Sequence, residues 1–218
     1  MAMKVGAVPV EDIESIHIND NARILEIGAD SKRNFMSKYP DLMSMIIKIK
    51  NSKINNFITL ELTDKNKPSI VADGRDLPFK DSVFDVVILI SVLEHCYKNF
   101  DAIIVESRRV VSKKGVVIGF VPFFLGYHGN DYWRFTYEGV ERLLNGFERY
   151  RIVPIGGPIS VSFQIIIDMI KPNILKKLLT HTFSIVLIPL DKIIWKFFKK
   201  YNKDACFVTR GYLFIGEK

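Results

Sequence analysis

The sequence predicts an α/β fold on a mostly parallel sheet, and three observations carry that prediction. Short apolar runs recur between Arg23 and Val121, helical patterns separate them, and an acid or a glycine stands at the end of the first three. Strands alternating with helices imply right-handed βαβ crossovers. In such sheets ligands bind beyond the carboxyl ends of the strands.

The runs read as strands are residues 23–28, 56–62, 69–72, 84–90 and 115–121, the last closed by Pro122. Phe84 to Ile90 is continuous and rich in β-branched residues, as a central strand buried on both faces should be. Gly211 to Gly216 reads as a final strand. Helices are predicted over Asn99–Val111, with the basic, glycine-terminated Lys113-Lys114-Gly115 at its end, and over Thr136–Leu144, with Thr136 as N-cap. Residues 160–203 break the pattern as a helical, greasy and basic insertion interrupted by Pro172 and Pro189. The whole of 1–218 reads as one domain carrying that insertion.

Composition excludes several classes. With 48% hydrophobic and 25% charged residues the chain is neither disordered nor low in core-forming material. Cys96 and Cys206 show no CxxC spacing or zinc-like ligand set, so no metal is predicted, and a reduced, cytoplasmic protein is the simplest reading. Met1 to Val10 lacks the basic start and apolar core of a signal peptide. Of the net charge of +7, eight lysines and two aspartates between Asp168 and Lys203 supply +6. The remainder is almost neutral, which argues against a nucleic-acid partner.

The strand ends are the informative constellation: Glu26-Ile27-Gly28-Ala29-Asp30, then Glu61, then Asp73-Gly74. Glycine lets a backbone approach a ligand closely. A carboxylate after the second strand can accept hydrogen bonds from two ribose hydroxyls, and one after the third from an adenine amine. The dinucleotide fingerprint GxGxxG is absent, and an acid beside a pyrophosphate would repel it. A ligand with a sulfonium and an ammonium, S-adenosylmethionine (SAM), suits acids where NAD does not.

Val71-Ala72-Asp73-Gly74-Arg75-Asp76-Leu77-Pro78-Phe79, then Ser82 to Val87, then Ser91-Val92-Leu93-Glu94-His95, resembles the type-11 branch of class I SAM-dependent methyltransferases. So do Arg108 to Gly115 and His128 with Asp131-Tyr132-Trp133-Arg134-Phe135-Thr136. The resemblance runs from about Ile24 to Phe147 and returns in the last strand. It implies a Rossmann-like fold: a mostly parallel seven-stranded sheet, helices on both faces and an antiparallel last strand. It further implies that Glu26, Gly28, Ala29 and Asp30 line the methionine end of SAM, and that Glu61 with Leu62 holds the ribose. By the same token Asp73, Gly74 and Arg75 meet the adenine, and Ser91 lies near the reacting sulfur. The implied activity is methyl transfer to a small molecule, lipid or glycan precursor.

Candidates for acceptor chemistry are His95 and His128, histidine being the residue type most often used as a general base, with Tyr132 and Arg134 beside them. His95 reads first as a residue that caps or packs a helix start, and Arg134 either binds an anionic acceptor or pairs with Asp131. Asp30 stands where the family's loop usually carries a second glycine, so a non-catalytic binding module on the same fold is the competing function. In the insertion, Leu190, Ile193, Ile194, Phe197, Phe198 and Tyr201 fall at helical spacing among lysines. Such a pattern suits a peripheral anionic membrane or a lid, and equally a helix covering its own core. The acceptor and the oligomeric state leave no mark in the sequence.

Overall fold

In the computed structural model, the described residues are 16–18, 21–28, 47–49, 56–125, 130–168, 186–187, 189–197 and 208–218. Seven strands form one sheet: β2 (Arg23–Ile27), β4 (Asn56–Glu61), β5 (Ile70–Val71), β6 (Phe84–Ile90), β7 (Val111–Pro122), β8 (Arg149–Ile155) and β9 (Gly211–Glu217). Their order is β5-β4-β2-β6-β7-β9-β8. The pairs from β5 through β7 are parallel, and β9 runs antiparallel to both β7 and β8. This is the mostly parallel seven-stranded sheet with an antiparallel last strand that the resemblance implies. Outside it, β1 (Ile16–Ile18) and β3 (Ile47–Ile49) form a separate parallel pair.

The alternation of side chains along each strand sorts the core into two faces. Leu25, Ile27, Val87, Leu89 and Phe214 point to one, and Ile24, Val86, Ile88, Leu213 and Ile215 to the other, all buried. Strands with both faces covered need continuous apolar runs rather than alternating ones, which is why β6 reads as FDVVILI. The first face is covered by α1 (Phe100–Val110), through Ile103, Ile104 and Val110, and by α2 (Tyr137–Leu143), through Val140. A helix on the second face is expected as well; among the described residues no helix contributes to that cluster, which Ile16, Phe57 and Ile90 join.

Two sequence expectations change. The helix expected over 99–111 is found at Phe100–Val110, but Lys113-Lys114-Gly115 lies inside β7 rather than closing it, because Val111 turns extended and pairs with Phe84. Arg149–Ile155 is a strand the apolar pattern did not reveal: it opens on polar residues and contains Pro154. It lies at the sheet's edge, where a missing N–H is tolerated. The α2 cap is as predicted, with Thr136 Oγ1 accepting from the Gly139 N–H at 3.1 Å.

α3 (Pro158–Asp168) begins directly after the carboxyl end of β8, so the insertion leaves and rejoins the sheet at its ligand edge. Residues 189–197 are helical, while 169–185 and 198–207 lie outside the described residues, with the lysine-rich repeat Lys171 to Leu179 among them.

Candidate active site

The carboxyl edge of the sheet gathers the predicted strand ends. Gly28 follows β2, and its N–H donates to the Leu60 carbonyl at 2.9 Å, tying it to the strand that ends in Glu61. Its φ is +80°, and a Cβ here would run into Val92 just past β6. Only glycine lets the backbone turn left-handed and pass that close. Glu26, one residue before Ile27, is buried at 5% exposure on the sheet's second face. Ala29 and Asp30 lie outside the described residues.

Glu61 is half-buried, and its Oε2 accepts from the Leu62 N–H at 3.3 Å, which turns the carboxylate along the edge. Leu62 is 63% exposed, an apolar side chain left open beside it. Asp73 follows β5 and grips Arg75 as a fork, accepting from Nε at 3.0 Å and from Nη2 at 2.6 Å, and from the Arg75 backbone N–H at 2.9 Å. That guanidinium holds the Asp73 carboxyl below its usual range. Arg75 thus shapes the turn through Asp73. A carboxylate has about four lone-pair sites, so Asp73 retains capacity for a further donor. Gly74 packs on Ile27 and Ile103. The loop that follows is clamped to α1 by Arg109, which donates to Glu106, to Asp81 and to the Leu77 and Phe79 carbonyls at 2.7 to 3.0 Å.

Ser91, at the end of β6, adopts φ +54° and donates its N–H to the Phe120 carbonyl at 3.0 Å. A non-glycine residue in that region is held by its surroundings. The chain then turns through a short 3-10 helix, Leu93–His95, and the loop 130–136 closes over it. Tyr132 N–H donates to the Glu94 carbonyl at 2.8 Å, and Trp133 Nε1 to the Cys96 carbonyl at 2.7 Å. Tyr132 is half-exposed and meets Tyr97 edge-on.

Within this junction lies a cluster that sequence reasoning brought only partly together. His95 Nδ1 stands 3.4 Å from Asp131 Oδ1 and 3.2 Å from the Asn130 carbonyl. Asp131, almost fully buried, accepts from Arg134 Nη2 at 2.6 Å. Arg134 therefore takes the pairing role, and His95 is a partly exposed member of a charged network. The missed residue is Glu94, fully buried between them. Burial pushes its carboxyl up to about 7; the nearby Asp131 charge adds to this, and the His95 ring and Ser91 hydroxyl oppose it. It stands as an acid inside the Ser91 to His95 motif, and spacing alone does not show that this acid faces inward. Such a carboxyl can hold or release a proton near neutral pH at the strand edge. His128 lies outside the described residues.

Comparison with known proteins agrees with this architecture. Residues 44–119 match the family described as a methyltransferase domain, type 11. No curated protein matches the sequence significantly. A SAM-dependent methyltransferase from Archaeoglobus fulgidus superposes with a TM-score of 0.53 at 13% identity, over 91% of this chain and 86% of that one. Phosphoethanolamine N-methyltransferase 2 from Haemonchus contortus, solved with SAM, gives 0.50 at 14% identity, over 92% of this chain and 49% of the longer one. Identity that low speaks to the fold alone. The family match covers about a third of the chain, from before β4 into β7, and together with the sheet order described above it makes this chain similar to class I SAM-dependent methyltransferases in fold.

Proposed function

We propose that the protein binds SAM along the edge from Gly28 to Ser91 and transfers its methyl group to a small-molecule, lipid or glycan-precursor acceptor. The observation that carries this is the convergence, on adjacent parallel strands, of the left-handed Gly28, the half-buried Glu61 and the Asp73-Gly74 turn. The residues fit the group: the left-handed Gly28 keeps the turn after β2 tight against Val92 beside the strand edge, and acids suit a ligand of positive charge. Glu61 would accept from the ribose hydroxyls, with exposed Leu62 against the base, and Asp73 from the adenine amine. SAM supplies an electrophilic methyl, and its displacement depends chiefly on alignment. His95, Glu94 and Asp131 lie next to Ser91 in sequence or through the loop that covers it, where they can relay a proton from an acceptor hydroxyl or amine. The competing reading, a binding module without turnover, keeps the same cofactor edge and lacks only the product.

Calorimetric titration with SAM and S-adenosylhomocysteine tests the cofactor. Both are expected to bind, and Glu61→Ala to weaken SAM by about 1–3 kcal/mol, as for a buried hydrogen-bonding group left unmatched. Affinity unchanged in Glu61→Ala would refute the ribose assignment, and failure of both ligands to bind would end the SAM reading.

A second reading concerns a peripheral membrane partner, and one observation favours it. Val186, Leu190, Ile193 and Phe197 recur at helical spacing and are 62%, 40%, 64% and 61% exposed, whereas the polar Asp191 is the residue turned inward. Ile166 of α3 is exposed too. A helix covering its own core shows the reverse. With Lys192 and Lys196 alongside, this face suits an anionic lipid surface. Among the described residues no helix is long and apolar enough to cross a membrane. Co-sedimentation with phosphatidylglycerol vesicles should show binding that weakens with salt and is lost in Ile193→Asp; binding indifferent to that charge would exclude this face.

A further inference from the structure

A cavity of about 660 Å³ lies between α1, α2 and the loop that joins β7 to α2, on the first face of the sheet. Three arginines from three elements line it: Arg108 in the last turn of α1, Arg134 in the loop and Arg142 in the last turn of α2. The acid among its lining residues is Asp101. Arg134 gives Nη2 to Asp131, while its Nη1 is buried and has no acceptor among the described residues. Arg108 and Arg142 form no ion pair among the described residues. A buried guanidinium N–H without an acceptor is costly unless something supplies one.

The backbone is shaped to bring one of these groups in. Gly146 stands at φ +106°, and the Arg108 guanidinium lies directly over it, where any Cβ would collide with Nη1. The glycine thus leaves room for that charge. Apart from Thr136 and Asn145 the rest of the wall is apolar and aromatic, with Phe100 against Trp133 at 5.0 Å between ring centres and Phe135 and Phe147 nearby. A bare inorganic anion would fill little of that volume. Guanidinium forks match phosphate oxygens, and three of them opposed by one lining carboxylate favour a dianion over a singly charged carboxylate.

We propose that this cavity binds a phosphate monoester with an apolar or aromatic body, its phosphate on Arg108, Arg134 and Arg142 and its body against Trp133 and Phe100. The site is separate from the edge formed by Gly28, Glu61 and Asp73, and it does not depend on the methyltransferase reading. A soluble phosphate ester and a phosphorylated lipid share this chemistry.

Phenyl phosphate titrated calorimetrically into the full chain is the test, with benzyl alcohol as the uncharged control. Phenyl phosphate is expected to bind, benzyl alcohol to bind far more weakly, and Arg142→Ala and Arg108→Ala each to weaken phenyl phosphate roughly tenfold to a hundredfold. Arg142→Lys should recover part of the affinity, because charge returns without the fork. Arg142 is exposed on a short helix, so its removal leaves the core intact, and an unchanged melting midpoint verifies this. In a second arm, phosphatidylcholine vesicles containing phosphatidic acid are sedimented with the protein. Arg142-dependent binding there, alongside phenyl phosphate, supports the site with a lipid source; Arg142-dependence for phenyl phosphate alone supports it with a soluble source. No binding of phenyl phosphate, equal binding of benzyl alcohol, or indifference to both arginine substitutions overturns the proposal. SAM titrated into the same variants should bind as in the parent chain, so loss of SAM binding throughout would end the methyltransferase reading and leave this one standing.

Discussion

Replacing Glu94 by Gln is expected to stabilise the protein at pH 8 and to remove a decline in stability that the parent chain shows between about pH 4.5 and pH 7. Glu94 is 0% exposed, on the 3-10 turn after β6, and burial has raised its carboxyl from 4.5 to about 7. Below pH 4.5 both folded and unfolded chains keep this proton, and the group costs nothing. Between 4.5 and 7 the unfolded chain releases it while the folded chain still holds it. The folded state then binds more protons, so stability falls as pH rises and levels off above 7. A displacement of that size is worth on the order of 3 kcal/mol. Glutamine has nearly the same shape and never ionises, so Glu94→Gln should behave like the protonated parent at all pH. Around the group stand Ser91 and His95 of its own turn and Asp131 with Arg134 from the loop above. Urea unfolding of both proteins at pH 4.5, 6, 7 and 8 measures the effect. Parallel pH profiles for parent and variant would show that Glu94 ionises as an ordinary surface acid.

Glu94 also marks the boundary of what the sequence could tell. Gly28, Glu61 and Asp73 were legible because each ends an apolar run, and the position after a strand fixes the sheet edge on which it lies. Glu94 ends no run. Its inward orientation depends on the 3-10 turn and on the loop whose Tyr132 N–H reaches back to its carbonyl, a contact between residues far apart in the chain. Arg75 was placed at the adenine by resemblance, but its nearest acceptor is Asp73, two residues away, and local pairing takes its donors first. The strand β8 was hidden because an edge position tolerates Pro154 and polar residues that a central strand would not. The three arginines of the cavity are spread over 35 positions, from Arg108 to Arg142, and only the packing of α1 beside α2 brings them together. In the insertion the helical wheel puts Leu190, Ile193 and Phe197 on one stripe, with Phe198 and Tyr201 outside the described residues, and it says which residues share a face but not which face turns inward.

That direction is set by one carboxylate, and removing it should have a large and localised effect. Asp191 is 1% exposed. Its Oδ1 accepts from the Ile159 N–H at 2.9 Å, and its Oδ2 from the Ser160 N–H at 2.9 Å and the Gly157 N–H at 3.3 Å. These are donors at the start of α3, of which the Gly157 N–H also reaches the Ser160 hydroxyl at 3.2 Å, and a negative charge there also meets the positive end of the helix dipole. Asp191 does for α3 what an N-cap residue does, from 31 to 34 positions further along the chain. Asp191→Ala leaves these N–H groups facing a cavity and is expected to cost on the order of 3 kcal/mol, two or three bonds to a charged acceptor partly replaced by water. Asp191→Asn keeps an acceptor without the charge and should fall between. The loss should be regional. In Asp191→Ala the amides of 157–160 should exchange faster and the chain should be cut by protease within 186–197, while β6 and β7 keep their protection. Unchanged exchange at 157–160 in Asp191→Ala would mean that apolar packing, not the carboxylate, holds the two helices in place.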